Sequence, residues 1–224
     1  MAFPQVKVLS IALFVVLTFA SRAYSDTKLG EFSFNGVSTD SCCGLPMTET
    51  GTVPYVSSPS CQGGEMAGQF SASNYFTNPD LHTAMLATAT SYEIVFDLYW
   101  SSVAGYPTVF HTGTSGQYSL FSYYTSSSQF LWSTNGNNHW TTDTFTSGVC
   151  YHIQLIFDGT NKICIINGVT EINEVSDAEW KGTFFNLGKD APGGNPLTGY
   201  IQNLVFWSGR APTPTITQTH TFSP

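Results

Sequence analysis

Short stretches in which apolar and polar residues alternate run through most of this chain, with Gly, Ser, Asn and Pro between them. Residues 91–100 give the clearest case, because alternate positions there are apolar or aromatic: Tyr92, Ile94, Phe96, Leu98 and Trp100. Such alternation predicts a β-strand with one buried face. Further strands are predicted at residues 28–35, 108–111, 117–124, 129–133, 140–145 and 197–207, and one helical turn at 176–180. Many short, regularly spaced strands predict a β-sandwich.

Residues 150–168 predict the central hairpin of this sandwich. Two apolar runs, Y-H-I-Q-L-I-F and K-I-C-I-I, flank the turn-forming letters D-G-T-N. A three-residue loop at 159–161 would place Phe157 opposite Ile163, which gives the hairpin one fully apolar face. An Asn-Gly pair at 167–168 then predicts a tight turn that returns the chain.

The same hairpin resembles that of laminin-G-like domains in the concanavalin A-like lectin and glucanase superfamily. The family pattern is W-H, a hydrophobic run, D-G-T, a second hydrophobic run and N-G or D-G, and here Tyr151-His152 stands in place of Trp-His. Residues 67–79 and 197–207 resemble the family's second element and its closing strand. The resemblance implies an all-β, concanavalin A-like jelly-roll sandwich of two antiparallel sheets, in which the last strand pairs with the first. Because the superfamily includes lectins, adhesion modules and hydrolases, function stays open.

Three segments are predicted along the chain: a secretory signal peptide at 1–25, the sandwich domain at 27–210, and a flexible Thr- and Pro-rich tail at 211–224 that could carry O-linked sugar. The signal peptide rests on an apolar run of thirteen residues, too short to cross a bilayer core of ~30 Å, followed by small residues suited to cleavage. The mature protein is therefore expected to be secreted and extracellular, without a membrane anchor.

The net charge of the chain limits the classes of partner that it can bind. Lys and Arg total 7 against 15 Asp and Glu, a net charge of −8 that becomes −10 once Lys7 and Arg22 leave with the signal peptide. Nucleic acids and other polyanions require a basic surface, so both are poor candidates. An extracellular glycan or a matrix protein is the expected partner. N-glycosylation is not expected, because the chain has no Asn-x-Ser/Thr sequence.

Five cysteines in an exported protein predict two disulfides and one thiol left over. The predicted register separates Cys150 from Cys164 by about 20 Å, too far for a bridge. Cys61 is expected to pair with Cys42 or Cys43, and Cys150 with whichever of those two remains. Cys164 is then expected to be a buried free thiol.

A hydrolase is one possible function. Retaining glucanases of the superfamily carry E-x-D-x-E on one strand, and the corresponding letters here are E-I-V-F-D, with Glu93, Val95 and Asp97. Carboxylates four apart on a strand start ~13 Å apart and would have to converge to about 5.5 Å. The favoured interpretation is two solvated carboxylates, and no catalytic role is assigned. The five histidines are scattered, and no Cys-x-x-Cys pair suggests zinc.

A binding site is the better candidate. Its residues are Trp132, Asn135, Asn137, Asn138, Trp140 and Asp143. Asn and Asp offer directional donors and acceptors for sugar hydroxyls, and an indole offers a flat apolar platform. The alternative is an ordinary Asn-Gly hairpin turn with both Trp rings in the core. Loops 101–107 and 189–196 are further candidates for the rim of a site.

The resemblance implies that calcium is possible, because it is common at such rims in the superfamily and needs several oxygen ligands. No spacing selects a ligand set from the available aspartates: Asp143, Asp158, Asp177 and Asp190. The sequence therefore predicts a secreted, non-catalytic module that binds carbohydrate. The alternative is a structural or adhesive protein of the extracellular matrix that uses the sandwich for protein contacts. A diverged glycoside hydrolase is the third reading.

Overall fold

The computed structural model describes residues 27–34, 41–45, 47–57, 61, 66–78, 81, 91–101, 105–114, 117–175, 185–190 and 194–209. The predicted signal peptide, the predicted helical turn at 176–180 and the tail at 211–224 lie outside these residues. The described residues form fifteen strands: β1 (Thr27–Phe32), β2 (Thr48–Thr50), β3 (Tyr55–Ser57), β4 (Met66–Phe70), β5 (Tyr75–Asn78), β6 (Tyr92–Trp100), β7 (Thr108–Thr114), β8 (Gln117–Tyr124), β9 (Gln129–Thr134), β10 (Asn137–Trp140), β11 (Cys150–Phe157), β12 (Asn161–Ile166), β13 (Val169–Val175), β14 (Phe185–Leu187) and β15 (Gly199–Ser208). In this part of the chain, no helix is long and apolar enough to cross a membrane.

The strands build two antiparallel sheets. The first sheet has eight strands in the order β13-β12-β11-β6-β15-β4-β3, with β1 also paired to β15. The second sheet has seven strands in the order β10-β9-β8-β7-β14-β5-β2. The predicted all-β sandwich is confirmed, and so is the pairing of the first strand with the last.

The core lies between the sheets and is mainly aromatic. As predicted, alternate residues of β6 are buried on one face: Tyr92, Ile94, Phe96, Leu98 and Trp100. Phe96 meets Phe121 of the second sheet edge-on, with ring centroids 6.2 Å apart. Trp100 meets Phe130 in the same way at 5.2 Å. Burying each large apolar side chain contributes roughly 1.5–3 kcal/mol, so this layer holds the two sheets together.

The register of the β11–β12 hairpin differs from the predicted one by one residue. Phe157 lies opposite Lys162, because the loop contains two residues rather than three. The Asp158 side chain closes this loop, since its Oδ1 accepts hydrogen bonds from the backbone N–H of Thr160 at 2.9 Å and of Asn161 at 2.7 Å. Asn161 therefore belongs to the strand. The predicted turn at Asn167-Gly168 is confirmed, with both residues at positive φ.

The register matters because a shift of one residue exchanges the two faces of a strand. Lys162 and Cys164 face the core, in place of the expected isoleucines. Lys162 is fully buried, where its Nζ donates a hydrogen bond to Thr134 Oγ1 and lies 5.4 Å from the centroid of the Trp132 ring. The predicted strand at 140–145 also shifts, since β10 ends at Trp140.

The disulfides also differ from the prediction. Cys42 is bonded to Cys43, its neighbour in sequence, and Cys61 is bonded to Cys150. Cys61 lies against the first sheet, where its backbone N–H donates to Gln202 Oε1 at 3.2 Å, and this brings its Cα within 5.2 Å of that of Cys150. Cys164 is a buried free thiol, as predicted. Burial, with a smaller contribution from the charge of Glu171, raises the pKa of the Cys164 thiol far above its usual range.

Candidate functional site

The outward face of the second sheet carries aromatic side chains that the core does not use. Residues alternate along β8, so Phe121 and Tyr123 join the core while Tyr118 and Tyr124 point away from it. Directly opposite residues of antiparallel neighbours lie on the same side of a sheet. Trp140 pairs with Leu131, which in turn pairs with Ser122, so Trp140 shares the face of Tyr124.

Tyr124 lies at the surface between two other rings, those of Trp140 and of Tyr106, which precedes β7 in the chain. The Tyr106 and Tyr124 centroids are 4.1 Å apart, and Trp140 meets Tyr124 edge-on at 4.7 Å. Tyr106 is 45% exposed and Trp140 is 37% exposed, so both rings present surface to solvent. We call Tyr106, Tyr118, Tyr124 and Trp140 together the aromatic face. It offers flat apolar surface to a ligand without any change in the core.

The floor between these rings is polar in part and well packed. Ser122, Leu131 and Ser133 are buried there, and Thr108 Oγ1 lies 3.0 Å from Ser122 Oγ. A hydroxyl pair between neighbouring strands fixes their side chains across the sheet. The contacts open to a ligand are therefore the exposed rings and the polar groups at their edges.

A histidine and a carboxylate complete this surface. His111 Nε2 lies 3.6 Å from Asp190 Oδ1, and the Tyr118 ring stacks on the imidazole with centroids 5.9 Å apart. Burial lowers the pKa of His111, while the Asp190 charge acts in the opposite direction. Burial also raises the pKa of Tyr124, with smaller contributions from Tyr106, Tyr118 and Asp190. This end of the face therefore brings together a buried imidazole, a phenol ring and a carboxylate.

The two loops that the sequence marked as rim candidates meet at this place. The backbone N–H of Thr108 donates to the carbonyl of Asn195 at 3.0 Å, and Thr108 also forms an isolated bridge with Pro196. Tyr106 belongs to the first loop, 101–107, and Asp190 belongs to the second, 189–196. Tyr106 and Asp190 lie far apart in sequence, so no local sequence motif contains both of them.

The six predicted site residues do not lie together: one is in the core, and the others are in the β9–β10 turn, on β10 or beyond its end. Trp132 is a correction, because its ring is fully buried in the core and lies under Lys162 rather than at the surface. Asn135 occupies the β9–β10 turn at φ 50°, where its Oδ1 accepts from the backbone N–H of Tyr118 at 2.8 Å. The hairpin turn that the alternative reading expected is therefore present, with one Trp inside and Trp140 outside.

The remaining polar members lie at the edge of the second sheet. Asn137 and Asn138 are exposed on β10, and Asn138 pairs with Ser133 on the same side as Trp140. Asp143 lies beyond the end of β10, where its backbone N–H donates to Glu171 Oε2 at 2.9 Å and its side chain is exposed. A role for these residues in binding stays a prediction.

The candidate catalytic carboxylates do not lie in solvent, contrary to the favoured interpretation. Glu93 is 1% exposed and Asp97 is 3% exposed, on the outward face of the first sheet. Asp97 Oδ1 accepts from His152 Nδ1 at 2.7 Å, and Oδ2 accepts from Asn203 Nδ2 at 2.9 Å. A bulge in β15 between Gln202 and Val205 contains Asn203, at φ 52°, and brings its amide to Asp97.

The described residues contain no group of three or more His, Cys, Asp or Glu side chains that could hold a metal ion. Asp158 uses its carboxylate to close the β11–β12 turn, and Asp190 faces His111. Asp177 lies outside the residues that the structure describes. No calcium site is assigned.

The fold is a two-sheet antiparallel sandwich, and the outward face of its second sheet carries the exposed rings of Tyr106 and Trp140. A family model described as the concanavalin A-like lectin/glucanases superfamily matches residues 70–216, more than half of the chain. The chain therefore belongs to this superfamily, and the model is a laminin-G one, in agreement with the resemblance seen in the sequence. Among curated proteins, none matches the chain by sequence.

Solved structures share the fold at low sequence identity. Domain 4 of AbnA, an extracellular arabinanase from Geobacillus stearothermophilus solved with arabinotriose, superposes with a TM-score of 0.65 at 18% identity, over 82% of this chain and 93% of that domain. The receptor-binding domain of the botulinum neurotoxin C/D mosaic gives 0.66 at 10% identity, over 83% and 48%. The binding domain of botulinum neurotoxin DC, in complex with SialylT, gives 0.60 at 10% identity, over 83% and 48%. The chain thus spans about half the length of the neurotoxin domains.

Proposed function

We propose that this chain is an exported, non-catalytic module that binds carbohydrate on the aromatic face. The observation that carries the proposal is the run of touching rings from exposed Tyr106 through half-buried Tyr124 to exposed Trp140, on a sheet whose other side packs into the core. Contiguous exposed apolar surface marks sites of interaction with proteins or ligands.

The chemistry of the face suits a sugar. A pyranose or furanose ring has apolar C–H surface that packs on an aromatic ring, and hydroxyls around its edge that need directional partners. Asn138 and Asp190 supply such partners at the borders of the rings. Structural neighbours solved with arabinotriose and with SialylT share this fold, which supports a lectin-like role for the sandwich.

The geometry of β6 supports a role without catalysis. A retaining glycosidase needs two carboxylates open to the substrate, about 5.5 Å apart. Here Asp97 is buried under its hydrogen bonds to His152 and Asn203, and Glu93 is buried as well. Val95 stands between them where the glucanase pattern has an acid.

A glycan array with the secreted protein tests the proposal, run once with calcium and once with chelator. Trp140→Ala removes the exposed indole of the face and should weaken the glycan signal at least tenfold, about 1.4 kcal/mol. Trp207→Ala is the matched control, because Trp207 is a half-buried indole on the outward side of the first sheet, where Lys28 lies 5.3 Å from its ring centroid. That variant should leave glycan binding unchanged.

Other results would favour the alternative functions. Silence on every glycan, together with recovery of matrix proteins in a pull-down, would favour the structural or adhesive role. Turnover of β-glucans that disappears in Glu93→Gln would favour the hydrolase. A signal in calcium alone would direct attention to the acidic residues near the face.

A further inference from the structure

The two disulfides lie in different surroundings. Cys42 and Cys43 are consecutive in sequence, and all of residues 41–44 are exposed to solvent. The bond between Cys61 and Cys150 joins residues that are both half-buried. Thiol–disulfide exchange begins when a thiolate reaches one sulfur of the bond, so its rate depends on access. Access therefore favours reaction at the bond between the two consecutive cysteines.

The fold also protects the two bonds to different extents. The Cys61–Cys150 bond joins residues 89 positions apart, so it restricts the unfolded chain and stabilises the fold. This stabilisation is mutual, because by thermodynamic linkage a bond that favours the folded chain is itself favoured by folding. The Cys42–Cys43 bond closes almost no loop, so folding gives it little protection of this kind. A reductant should therefore open the Cys42–Cys43 bond first.

The sandwich holds the chain on both sides of the exposed bond. The backbone N–H of Ser41 donates to the carbonyl of Glu31 at 2.8 Å, and Ser41 Oγ donates to the same carbonyl at 3.1 Å. On the other side, Leu45 packs against the hydrophobic core. Gly44 lies between these two anchors with φ at 78°. Breaking the bond should therefore change the backbone of residues 42–44 and leave the strands in place.

Reoxidation should restore the same bond. Thiols on consecutive residues stay close together after reduction, because the chain itself joins them. The one cysteine outside the two bonds is Cys164, which is buried in the core. Burial also raises the pKa of its thiol far above the usual range. Because the attacking species in exchange is a thiolate, Cys164 does not compete for the exposed sulfurs.

From these observations we propose that the Cys42–Cys43 bond is a site of reversible thiol–disulfide exchange with a dithiol, of the kind that thioredoxin-like proteins carry. One thiolate of the dithiol attacks a sulfur of the bond and forms a mixed disulfide, and the other cysteine sulfur leaves as a thiolate and takes up a proton. The second thiolate of the dithiol then displaces the remaining cysteine sulfur, which is protonated in turn. The dithiol is oxidised to a disulfide, and the cysteine pair gains two electrons and two protons. This exchange is independent of the proposed carbohydrate binding.

Graded reduction of the folded, full-length secreted protein tests the proposal, with dithiothreitol as the dithiol. At each concentration the free thiols are alkylated, and peptide mass spectrometry identifies the labelled cysteines. Cys42 and Cys43 should be labelled at a concentration at least tenfold below the one that labels Cys61 and Cys150. The far-UV circular dichroism and the melting temperature should change little across this first step. Replacing dithiothreitol by oxidised glutathione should then restore the original bond.

Two variants and one solvent condition are the controls. The double variant Cys42→Ser, Cys43→Ser should lose the first step and keep the second at its original concentration. Cys164→Ser should leave both steps unchanged, because the buried thiol takes no part. In urea the two steps should move together, since the unfolded chain no longer protects the longer-range bond.

Three results would overturn the proposal. The first is reduction of both bonds at the same dithiothreitol concentration in the folded protein. The second is a loss of the far-UV signal across the first step, because the strands would then depend on the exposed bond. The third is reoxidation that joins Cys42 or Cys43 to another cysteine of the chain.

Discussion

The outward faces of the two sheets differ in how their polar and aromatic groups are used. On the first sheet Asp97 is buried and accepts hydrogen bonds from His152 and Asn203. On the second sheet Tyr106 and Trp140 remain in solvent, and Asp190 is partly exposed beside them. The first face buries a carboxylate under hydrogen bonds, whereas the second face leaves the rings of Tyr106 and Trp140 in solvent.

This difference indicates which face stabilises the fold and which face is available to bind a ligand. A buried carboxylate is tolerated when hydrogen bonds satisfy both oxygens, and removing one partner is then costly. Exposed rings contribute little to the stability of the unbound protein, because their apolar surface stays in water. Mutations on the first face should therefore change stability, and mutations on the second should change binding.

The largest expected effect concerns the disulfide on the first face. Cys61 and Cys150 are 89 residues apart in sequence, so their bond restricts the unfolded chain strongly. Replacing both by Ala should cost about 4 kcal/mol of unfolding free energy in urea. The second bond, Cys42–Cys43, joins neighbours and closes almost no loop, so the matched double Ala variant should lose less than about 1 kcal/mol. Equal losses would show that loop closure is not the source of the stability.

The buried carboxylate gives the next effect. Asp97→Ala leaves the Asn203 amide without its acceptor and should destabilise the fold by about 2–3 kcal/mol, with glycan affinity unchanged. Most of the loss should come from the Asn203 amide, because the His152 side chain is 46% exposed and water can replace its partner. Glu31→Ala, which breaks the surface ion pair with Lys28, should change stability by less than about 1 kcal/mol. A stable Asp97→Ala protein that lost glycan binding would reverse the assignment of the two faces.

The third effect is on affinity rather than stability. Tyr124 touches both Tyr106 and Trp140, so Tyr124→Ala removes the ring that orders the cluster. Glycan affinity should fall about tenfold, or 1.4 kcal/mol, in isothermal titration. Tyr200 is the matched control on the first face, where its ring lies 5.5 Å from that of Tyr99. Tyr200→Ala should leave the affinity as it was, and a comparable loss there would mean that the aromatic face is not the binding surface.

Much of the fold could be predicted because local patterns determine it. The alternation along β6 and the Asn167-Gly168 turn follow from side-chain periodicity and backbone conformation alone. Matching apolar residues selected the wrong hairpin register, since it placed Ile163 opposite Phe157 where the structure has Lys162. The Asp158 hydrogen bonds decide between the two registers, because they shorten the loop by one residue. The Cys61–Cys150 bond depends on a contact between segments distant in sequence.

The positions of the predicted site residues follow from the sequence only in part, and their role in binding stays a prediction. Trp140 is exposed, as a residue of a binding site must be, but Trp132 was placed beside it wrongly, because its ring is buried. The two-residue turn at Asn135-Gly136 pairs Trp132 with His139 and Trp140 with Leu131, so the two indoles point to opposite faces. The alternation of β8 carries a signal for Tyr118 and Tyr124, whereas Tyr106 and Asp190 come from loops whose meeting no sequence pattern shows.

The smallest effect is a pH dependence at the edge of the aromatic face. Burial lowers the pKa of His111 below its ordinary value of 6.5, against the opposing influence of Asp190. The unfolded chain therefore binds a proton at His111 more readily than the folded chain does. Stability should rise with pH where the unfolded histidine titrates, and should fall as the pH drops below 6.5.

His111→Gln removes this titration and keeps a polar side chain under Tyr118. The melting temperature of the wild type should therefore drop more between pH 7.5 and pH 5 than that of the variant. Carboxylates elsewhere titrate in both proteins, so the difference between the two slopes is the quantity to measure. Parallel slopes would contradict the burial of an uncharged imidazole. A steeper slope in the variant would mean that Asp190 stabilises a protonated His111, and the aromatic face would then carry a charge pair rather than a single negative charge.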